Sequence, residues 1–438
     1  MKHSHVARCA FAVILLWLAV GPAAAAAQDT IPPARRDSLE EALARELERL
    51  RGDSAQIPLD VQREPPQAVG QGLNPDISAI GEILADLSPD EPRYTESGER
   101  FALSEVELAF QAVVDPYFRA DFFIGIHEEV VEVEEAYLTA LALPLGLQAK
   151  LGRFLLPMGK ANLTHVPELH TVRHAAPVRE FLGEEGLAAG GVQLSRIFAP
   201  LGFYQELQVA VFSGLDPAAG HGHGEEEEAH EEEAHEEEAL DEPERGLEDQ
   251  LAGLVHLKSF WDVTDAANVE LGLSGAVGTM EVERETLVDG LPVHLLEREG
   301  RVLYGADLTV RWRPPARALY RSLYWSTEML ADRRAGETAW GGFSLVQWQV
   351  ARRWFVGGRL DAVQLAVEAH EDEEHGHEEE GLPWRRSGAG YLTFLPSEFS
   401  RFKLALERSW GDAAPEEGLW RAVLQTTFAL GPHRPHAF

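Results

Sequence analysis

The chain has 438 residues, with 73 acidic and 38 basic side chains and a formal net charge of −35. This acidic balance excludes nucleic acid as a partner, because nucleic-acid binding needs a basic face. After the first 27 residues, no run approaches the roughly 18 apolar residues that a transmembrane helix needs. A helical membrane protein is therefore excluded, and a hydrophobic share of 45% excludes a wholly disordered chain.

Residues 1–27 have the layout of a secretory signal peptide. Lys2 and Arg8 precede the apolar run Ala10–Val20, and the small-residue run Ala23–Ala27 predicts the cleavage site at its end. The single cysteine, Cys9, lies inside this segment, so the predicted mature chain contains neither a disulfide nor a thiolate nucleophile. These features predict a bacterial envelope protein.

Residues 28–73 are predicted to form a periplasmic helix and a linker. Ser38 and Glu41 have capping-box spacing, and leucines recur at helical intervals across residues 37–51. This short amphipathic helix is either a plain surface helix or a small coiled-coil seam between copies. Residues 57–72 are rich in Pro, Gly and Gln and indicate a linker.

From Asn74 onward the hydrophobic period is 2, which predicts strands. In Tyr304–Arg313, one face carries the apolar residues Ala306, Leu308, Val310 and Trp312, and the other carries polar ones. The alternation recurs in about sixteen segments: 76–86, 101–113, 117–127, 130–142, 146–155, 188–198, 203–212, 250–260, 267–276, 302–313, 321–330, 340–350, 354–363, 387–394, 400–408 and 419–430.

The connections between these segments alternate in length. Short, often Pro-marked turns alternate with a second set that is mostly longer: 87–100, 128–129, 156–187, 213–249, 277–301, 331–339, 364–386 and 409–418. Short turns at one rim and long loops at the other are typical of an outer-membrane barrel. We therefore expect an all-β fold, a transmembrane antiparallel β-barrel of about sixteen strands over residues 74–438.

The chain resembles outer-membrane proteins similar to phosphate-selective porins, some members of which carry the name zinc-regulated outer-membrane receptor. The resemblance is carried by Asn74–Leu84, Val131–Phe154, Arg179–Leu187, Tyr304–Pro314 and Ala351–Asp361. It implies a porin-like barrel in the bacterial outer membrane. An energy-coupled receptor would also need a plug domain, and the residues between the predicted cleavage site and Asn74 are too few to form one.

The alternation also predicts which charged side chains face the interior. The candidate pore-lining residues are Arg119, Lys150, Asp307, Arg311, Arg359, Arg401 and Lys403. Acidic residues share the same faces, whereas a phosphate-selecting pore would show a ladder of basic residues. The alternative to a selective pore is a set of paired charges around a wet lumen, since sixteen strands enclose an aqueous channel unless a loop fills it.

Loop 156–187 is the candidate constriction, because a long loop folded into the lumen narrows a porin and its charges set selectivity. Three of its histidines could also bind metal, although their spacing in an irregular loop carries little weight. The candidate residues are Lys160, His165, His170, Arg173, His174, Arg179 and Glu184.

The long loops 213–249 and 364–386, predicted to be extracellular, contain two tracts of extreme composition. Segment 221–244 has four histidines and 13 acidic residues, and segment 370–380 has three histidines and 7 acidic residues. Imidazole and carboxylate groups are ligands for zinc and similar ions, so we predict weak, exchangeable metal capture. The alternative is a solvated acidic fringe. The candidate ligands are His221, His223, His230, His235, His370, His375 and His377.

An enzyme is not expected, because no nucleophile motif surrounds Ser213 or Ser326. The leading hypothesis is a passive channel for ions or small solutes with a metal-attracting mouth. The alternatives are a surface metal-binding protein anchored by the barrel, and a general porin without a metal role. No cofactor is required beyond loosely bound Zn²⁺ or another divalent cation. The expected partners are outer-membrane lipid, the barrel assembly machinery, small solutes or metal ions, and other copies in a homotrimer.

Overall fold

The computed structural model describes residues 75–89, 98–127, 130–216, 251–288, 291–365, 382–411 and 420–431, with the backbone alone for residues 283–297. The predicted signal peptide, N-terminal helix and linker lie outside the described residues. The same is true of all seven tract histidines.

The described residues form sixteen strands. They are β1 Asp76–Asp86, β2 Phe101–Val113, β3 Phe118–Ile126, β4 Val131–Leu143, β5 Leu147–Leu155, β6 Ala188–Phe198, β7 Tyr204–Ser213, β8 Leu251–Thr264, β9 Ala267–Val288, β10 Leu291–Trp312, β11 Leu323–Arg334, β12 Glu337–Ala351, β13 Trp354–Gln364, β14 Trp384–Ser397, β15 Ser400–Trp410 and β16 Trp420–Leu430.

Each strand pairs antiparallel with its neighbours in sequence, and β1 pairs with β16 to close the barrel. The closing register runs from Ala79 opposite Leu430 to Asp86 opposite Val423. Closure removes the free edges that an open sheet would present, so every strand backbone has a partner on both sides. The predicted sixteen-strand barrel is confirmed.

The side-chain alternation has the predicted sense. On β10, Ala306 is exposed on the outer surface and Leu308 and Val310 are partly exposed there, whereas the intervening Asp307 and Thr309 are buried inside. The same order holds on β15, where Leu404 and Leu406 are exposed and Lys403 is buried. The outer faces of these strands are therefore apolar, and the charged side chains between the apolar ones are enclosed.

Two segments that were predicted to be loops, 277–301 and 331–339, consist mostly of strand. Segment 277–301 extends β9 and β10 into a hairpin of two 22-residue strands, and β11 and β12 continue to a tight turn at Ala335 and Gly336. Polar residues interrupt the apolar alternation of this segment in the sequence, and at its described end Arg298 pairs with Glu281 at 2.8 Å across the hairpin. Without a continuous alternation the period of 2 disappears, so the sequence pattern ended too early.

Aromatic side chains cluster at the rim of short turns. Trp312 stacks on Trp348 with ring centroids 5.8 Å apart, and Trp354 stacks on Phe394 at 4.6 Å. Trp354 and Phe394 face each other on adjacent strands, whereas Trp312 and Trp348 stack across the intervening β11. Tyr137 instead contacts Phe154 and Lys150, which lie on the inner face.

The described part of the chain contains one α-helix, α1 (Ala176–Leu182), within segment 156–187. Short 3₁₀ turns cover Pro144–Gly146, Ala161–Leu163, Val166–Glu168 and Pro315–Arg317. No helix among the described residues is long and apolar enough to cross a membrane.

Replacing Leu308 by Arg tests the lipid-facing surface. We expect a loss of about 2–4 kcal/mol in the free energy of unfolding, because an arginine near the bilayer midplane must be inserted into hydrocarbon. Reversible unfolding in lipid vesicles measures this loss. Leu201→Arg is the matched control, since Leu201 is 69% exposed in a short turn outside the strands. Equal stability of both variants would contradict the assignment.

Candidate functional site

The segment between β5 and β6, residues 156–187, lies inside the barrel and is called the inward loop below. It contacts inner side chains of β2, β4, β9–β11 and β13–β16. The contacts surround the loop on most sides, so the loop crosses the lumen and narrows it. This placement agrees with the expectation for a constriction loop.

The neck of the inward loop is closed by one asparagine. The fully buried Asn162 donates from Nδ2 to the carbonyls of Leu156 and Leu187 at 2.8 and 3.0 Å, and accepts from the Leu187 amide at 2.7 Å. These bonds join the two ends of the loop where it leaves β5 and enters β6. Backbone groups that would otherwise be buried without partners are thereby satisfied.

The first part of the loop is held by carboxylates of β9 and β11. Glu328 accepts from the amides of Lys160 and Ala161 at 3.2 and 3.1 Å, and Lys160 Nζ lies 2.7 Å from Glu270. Gly159 adopts φ +74°, and a Cβ there would collide with the Glu328 carboxylate. A glycine is therefore required at this point of entry into the lumen.

The middle of the loop presents its carbonyls to cations of β15. Lys403, which is 1% exposed, donates to the carbonyls of Leu169 (2.9 Å) and Thr171, and Arg401 donates to those of Pro167 and Leu169. A charged donor that satisfies two buried carbonyls is among the stronger hydrogen-bond arrangements. These contacts fix the path of the loop along β15.

Arg173 continues the attachment towards β13. Its guanidinium pairs with Glu407 at 2.8 Å, while its carbonyl accepts from Arg359 at 2.8 Å. Arg359 also pairs with Asp361 at 2.9 Å. The charges of loop and strands therefore neutralise one another within a buried network.

Helix α1 rests in an apolar cluster inside the barrel. Val178, Phe181 and Leu182 are buried against inner apolar residues of β7–β13, including Phe212 and Leu303. Pro177 lies in the first turn, where the missing N–H has no cost. The sequence did not predict this cluster, because inner alanines and leucines near strand ends resemble the outward-facing ones.

A fully buried arginine attaches the end of α1 to the wall. Arg301 on β10 pairs with Asp332 at 2.7 Å and donates to the carbonyls of Leu215 (2.7 Å) and Phe181. The carbonyls near a helix C-terminus lack partners within the helix, and here one of them is satisfied by a strand side chain. Sequence reasoning missed Arg301 because it lies in the segment predicted to be a loop.

His165 lies in a group of carboxylates from β2 and β4. Its Nδ1 is 2.5 Å from Glu134 and 3.4 Å from Glu107, and its Nε2 is 3.0 Å from Glu135. Burial opposes a positive charge on the ring, but the three carboxylates outweigh it and raise the pKa of His165 well above its usual value. The sequence placed His165 in the constriction but not with these partners.

The pKa values of the other two loop histidines are shifted in the opposite direction. Burial lowers the pKa of His170 to about 3, with Lys403 and Arg401 as further causes. Burial lowers the pKa of His174 to about 3 as well, with Arg359 and Arg179 adding to the effect. Both imidazoles are neutral at physiological pH, and the structure does not bring them into one ligand set with His165.

The remaining predicted residues lie elsewhere. Arg179 pairs with the exposed Glu184 at 2.9 Å. Of the pore-lining candidates, Arg119 pairs with Asp121, Lys150 lies 4.0 Å from the Tyr137 ring, and Arg311 approaches Glu270 at 3.6 Å. Arg359, Arg401 and Lys403 point inward but are covered by the inward loop. The role of these residues in a pore stays a prediction.

Part of the inner wall is partly exposed rather than covered. Arg119 and Lys258 each keep 32% of their side-chain surface accessible, and Lys160 keeps 18%. Lys258 pairs with Glu206 at 3.0 Å. On β3 and β7–β8, partly exposed basic side chains are thus paired with carboxylates that are 1% and 13% exposed.

Comparison with known proteins agrees with this fold. No protein-family model matches the chain. An uncharacterized protein of Aquifex aeolicus (strain VF5) is 29% identical over 355 residues, which cover 77% of this chain and 70% of that protein.

Two solved structures are similar in fold. OmpT, an outer membrane protein of Vibrio cholerae in trimer form, superposes with a TM-score of 0.50 at 6% identity, covering 82% of this chain and 99% of OmpT. Pseudomonas putida OprB, in a high-pH structure, also gives 0.50, at 10% identity over 82% of this chain and 94% of OprB. These similarities are similarities of fold. A closed sixteen-strand barrel with an apolar outer surface is the architecture of a protein of the bacterial outer membrane.

Replacing Lys403 by Met tests the attachment of the loop. The Thr171 carbonyl would lose its Lys403 donor, at about 1–3 kcal/mol, and the Leu169 carbonyl would keep only Arg401, so we expect faster hydrogen exchange of amides in residues 165–175. Mass spectrometry of peptides from the folded barrel measures it. Lys258→Met is the control, because Lys258 pairs with Glu206 and is partly exposed. Unchanged exchange in the Lys403 variant would show that other contacts hold the loop.

Proposed function

We propose that the protein is a passive outer-membrane channel for ions or small solutes, with rim tracts that capture zinc or a similar divalent ion. The observation that supports the channel is the inner wall, where partly exposed basic side chains, paired with largely buried carboxylates, remain beside the inward loop. A wall of this kind keeps water inside the barrel, and a narrowing loop is how such barrels restrict passage.

We propose that ions and small solutes pass through the lumen along the inner faces of β3 and β7–β10. On the opposite side, Lys403 is covered by the loop and offers no surface to a solute, and Arg401 is partly covered. Near the ends of β7–β13, the apolar cluster around Phe181 and Phe212 fills the interior. A solute must therefore pass between the covered side and the charged wall, which favours small hydrated ions.

The apolar cluster also supports a second candidate function. If it seals the lumen, the barrel is an anchor and the rim tracts act as a surface metal-binding element. Conductance separates the two functions directly, because an anchor needs no open path.

An enzymatic role is not proposed. Ser326 Oγ lies 3.4 Å from Thr309 Oγ1, and Ser213 Oγ donates to the Gly190 carbonyl at 3.4 Å. Neither serine contacts a histidine within the described residues, so no hydrolase constellation forms around them. The proposed partners are outer-membrane lipid, the barrel assembly machinery and further copies in a homotrimer, the last supported by the trimer form of OmpT.

The channel is tested in planar bilayers with the purified full chain. We expect measurable ion conductance with weak cation preference at low salt, since the acidic mouth acts through a field that salt screens. Replacing residues 165–172 by a Gly-Ser segment of equal length should raise the conductance. The same replacement of residues 315–319, in a short turn, should not. A folded barrel that conducts nothing would leave the anchor function.

Metal capture at the rim is tested by calorimetry. Replacing His221, His223, His230, His235, His370, His375 and His377 together by Ser should remove most histidine-dependent zinc binding, while the barrel stays folded because none of the sixteen described strands includes them. Binding to the native chain should weaken as pH falls through ~6.5, where free imidazole becomes protonated. A single His→Ser change should have little effect, since the ligands are redundant. Unchanged zinc affinity and stoichiometry in the seven-Ser variant would show that the tracts are an acidic fringe.

A further inference from the structure

We propose that Glu107, Glu134 and His165 form a site for one divalent transition-metal ion, zinc being the probe, which ties the inward loop to β2 and β4. The site uses none of the rim-tract residues and does not depend on the proposed channel. His165 Nδ1 and one oxygen of each carboxylate all lie within 4.8 Å of one another. Three protein ligands leave a further position for water, as in open zinc sites.

The orientation of the imidazole favours a metal at Nδ1. Its other nitrogen, Nε2, lies 3.0 Å from Glu135, and Glu135 in turn accepts from the Leu155 amide at 2.8 Å. A metal-binding histidine ordinarily donates its second N–H to a carboxylate, which fixes the ring and its tautomer. Glu135 is therefore the positioning residue, and Nδ1 faces the two proposed ligands.

Some oxygens of these carboxylates accept no hydrogen bond from the described residues. Glu107 is 2% exposed, and its Oε2 atom, which faces His165, makes no hydrogen bond in the described structure. Glu134 Oε1 is also buried without a hydrogen bond. No Lys or Arg of the described chain lies within ion-pair distance of Glu107, Glu134 or Glu135, whose ion-pair partner is His165. Three carboxylates around one imidazole are thus short of positive charge, which a divalent ion supplies.

The backbone is shaped to gather these groups. A β-bulge in β4 leaves Glu134 without a cross-strand partner, because Phe123 pairs with Glu135 and Ile124 pairs with Val133. A bulge re-aims a side chain, and here it turns two successive glutamates towards His165. Opposite them, Gly125 leaves open the space in which a Cβ would collide with the Glu134 carboxylate.

A second group of ligand atoms provides a route from water. His127, Glu132 and Glu185 also lie within 4.8 Å of one another, and His127 and Glu185 are 26% and 30% exposed. Glu132 is close enough to Glu134 to interact with it electrostatically. An ion can therefore reach the buried site through partly exposed ligands. On binding, the metal replaces a proton at Nδ1, so the proton leaves as the Nδ1–metal bond forms.

The experiment uses the full chain with all seven tract histidines replaced by Ser, which removes rim binding. This background protein should retain one zinc ion per chain after dialysis, and Co²⁺ in its place should show visible ligand-field absorption. His165→Asn and Glu107→Gln should abolish retention, and Glu135→Gln should weaken binding about 10- to 100-fold. His174→Asn is the matched control, a fully buried histidine of the same loop, and should retain the ion.

A background protein that retains no metal would overturn the proposal and leave a charge-paired histidine. Equal retention in the His165 and Glu107 variants would overturn it as well. If either variant fails to fold, X-ray absorption of the zinc-loaded background protein decides. One nitrogen and otherwise oxygen ligands are expected, and an all-oxygen shell overturns the site. The proposed metal capture by the rim tracts is tested separately, by calorimetry of the native chain.

Discussion

Charged side chains enclosed inside the barrel need partners, and this requirement determines how the inward loop is held. A closed barrel in lipid places its apolar side chains outward, so the polar side chains of the strands face one confined interior. Cations on β13 and β15 and carboxylates on β9, β11 and β13 then need partners that water alone does not supply. The inward loop has little regular secondary structure and brings carbonyls and amides without partners of their own. Lys403 binds the loop carbonyls and Glu328 binds its amides, so loop and wall each satisfy what the other lacks. The path of the loop is therefore dictated by the wall.

The sequence predicted the barrel well because its signal is local. Alternation and turn residues are read within ten or so positions, and all sixteen strands were found this way. The prediction failed in segment 277–301, where polar residues interrupt the alternation and the period of 2 vanishes. The site was predicted only in part, since loop length and charge indicated a constriction, but its contacts join positions far apart. Arg173 and Glu407 meet across 234 residues, and no pattern in a single sequence connects them.

The bulge in β4 shows where a local signal was present but ambiguous. Two adjacent glutamates, Glu134 and Glu135, interrupt the alternation of Val131–Leu138, and a regular strand would send one of them into lipid. Burying an unpaired carboxylate in hydrocarbon is costly, so the irregularity had to be resolved by the backbone. The bulge brings both inward and gives His165 its partners. A doubled acidic residue in an outer-membrane strand is thus a sequence mark of a bulge.

The two proposals of metal binding rest on different chemistry. The rim tracts offer many ligands, and no sequence feature selects one set among them. The group around His165 is already oriented by Glu135 and the Leu155 amide, so little ordering remains when an ion binds. Redundant ligands favour weak binding and fast exchange, whereas an oriented set favours retention. An ion concentrated at the mouth could then pass on while another stays fixed beside the path. The fixed ion would strengthen the attachment of the loop to β2 and β4. It would therefore affect the width of the lumen and not the concentration of ions at the mouth.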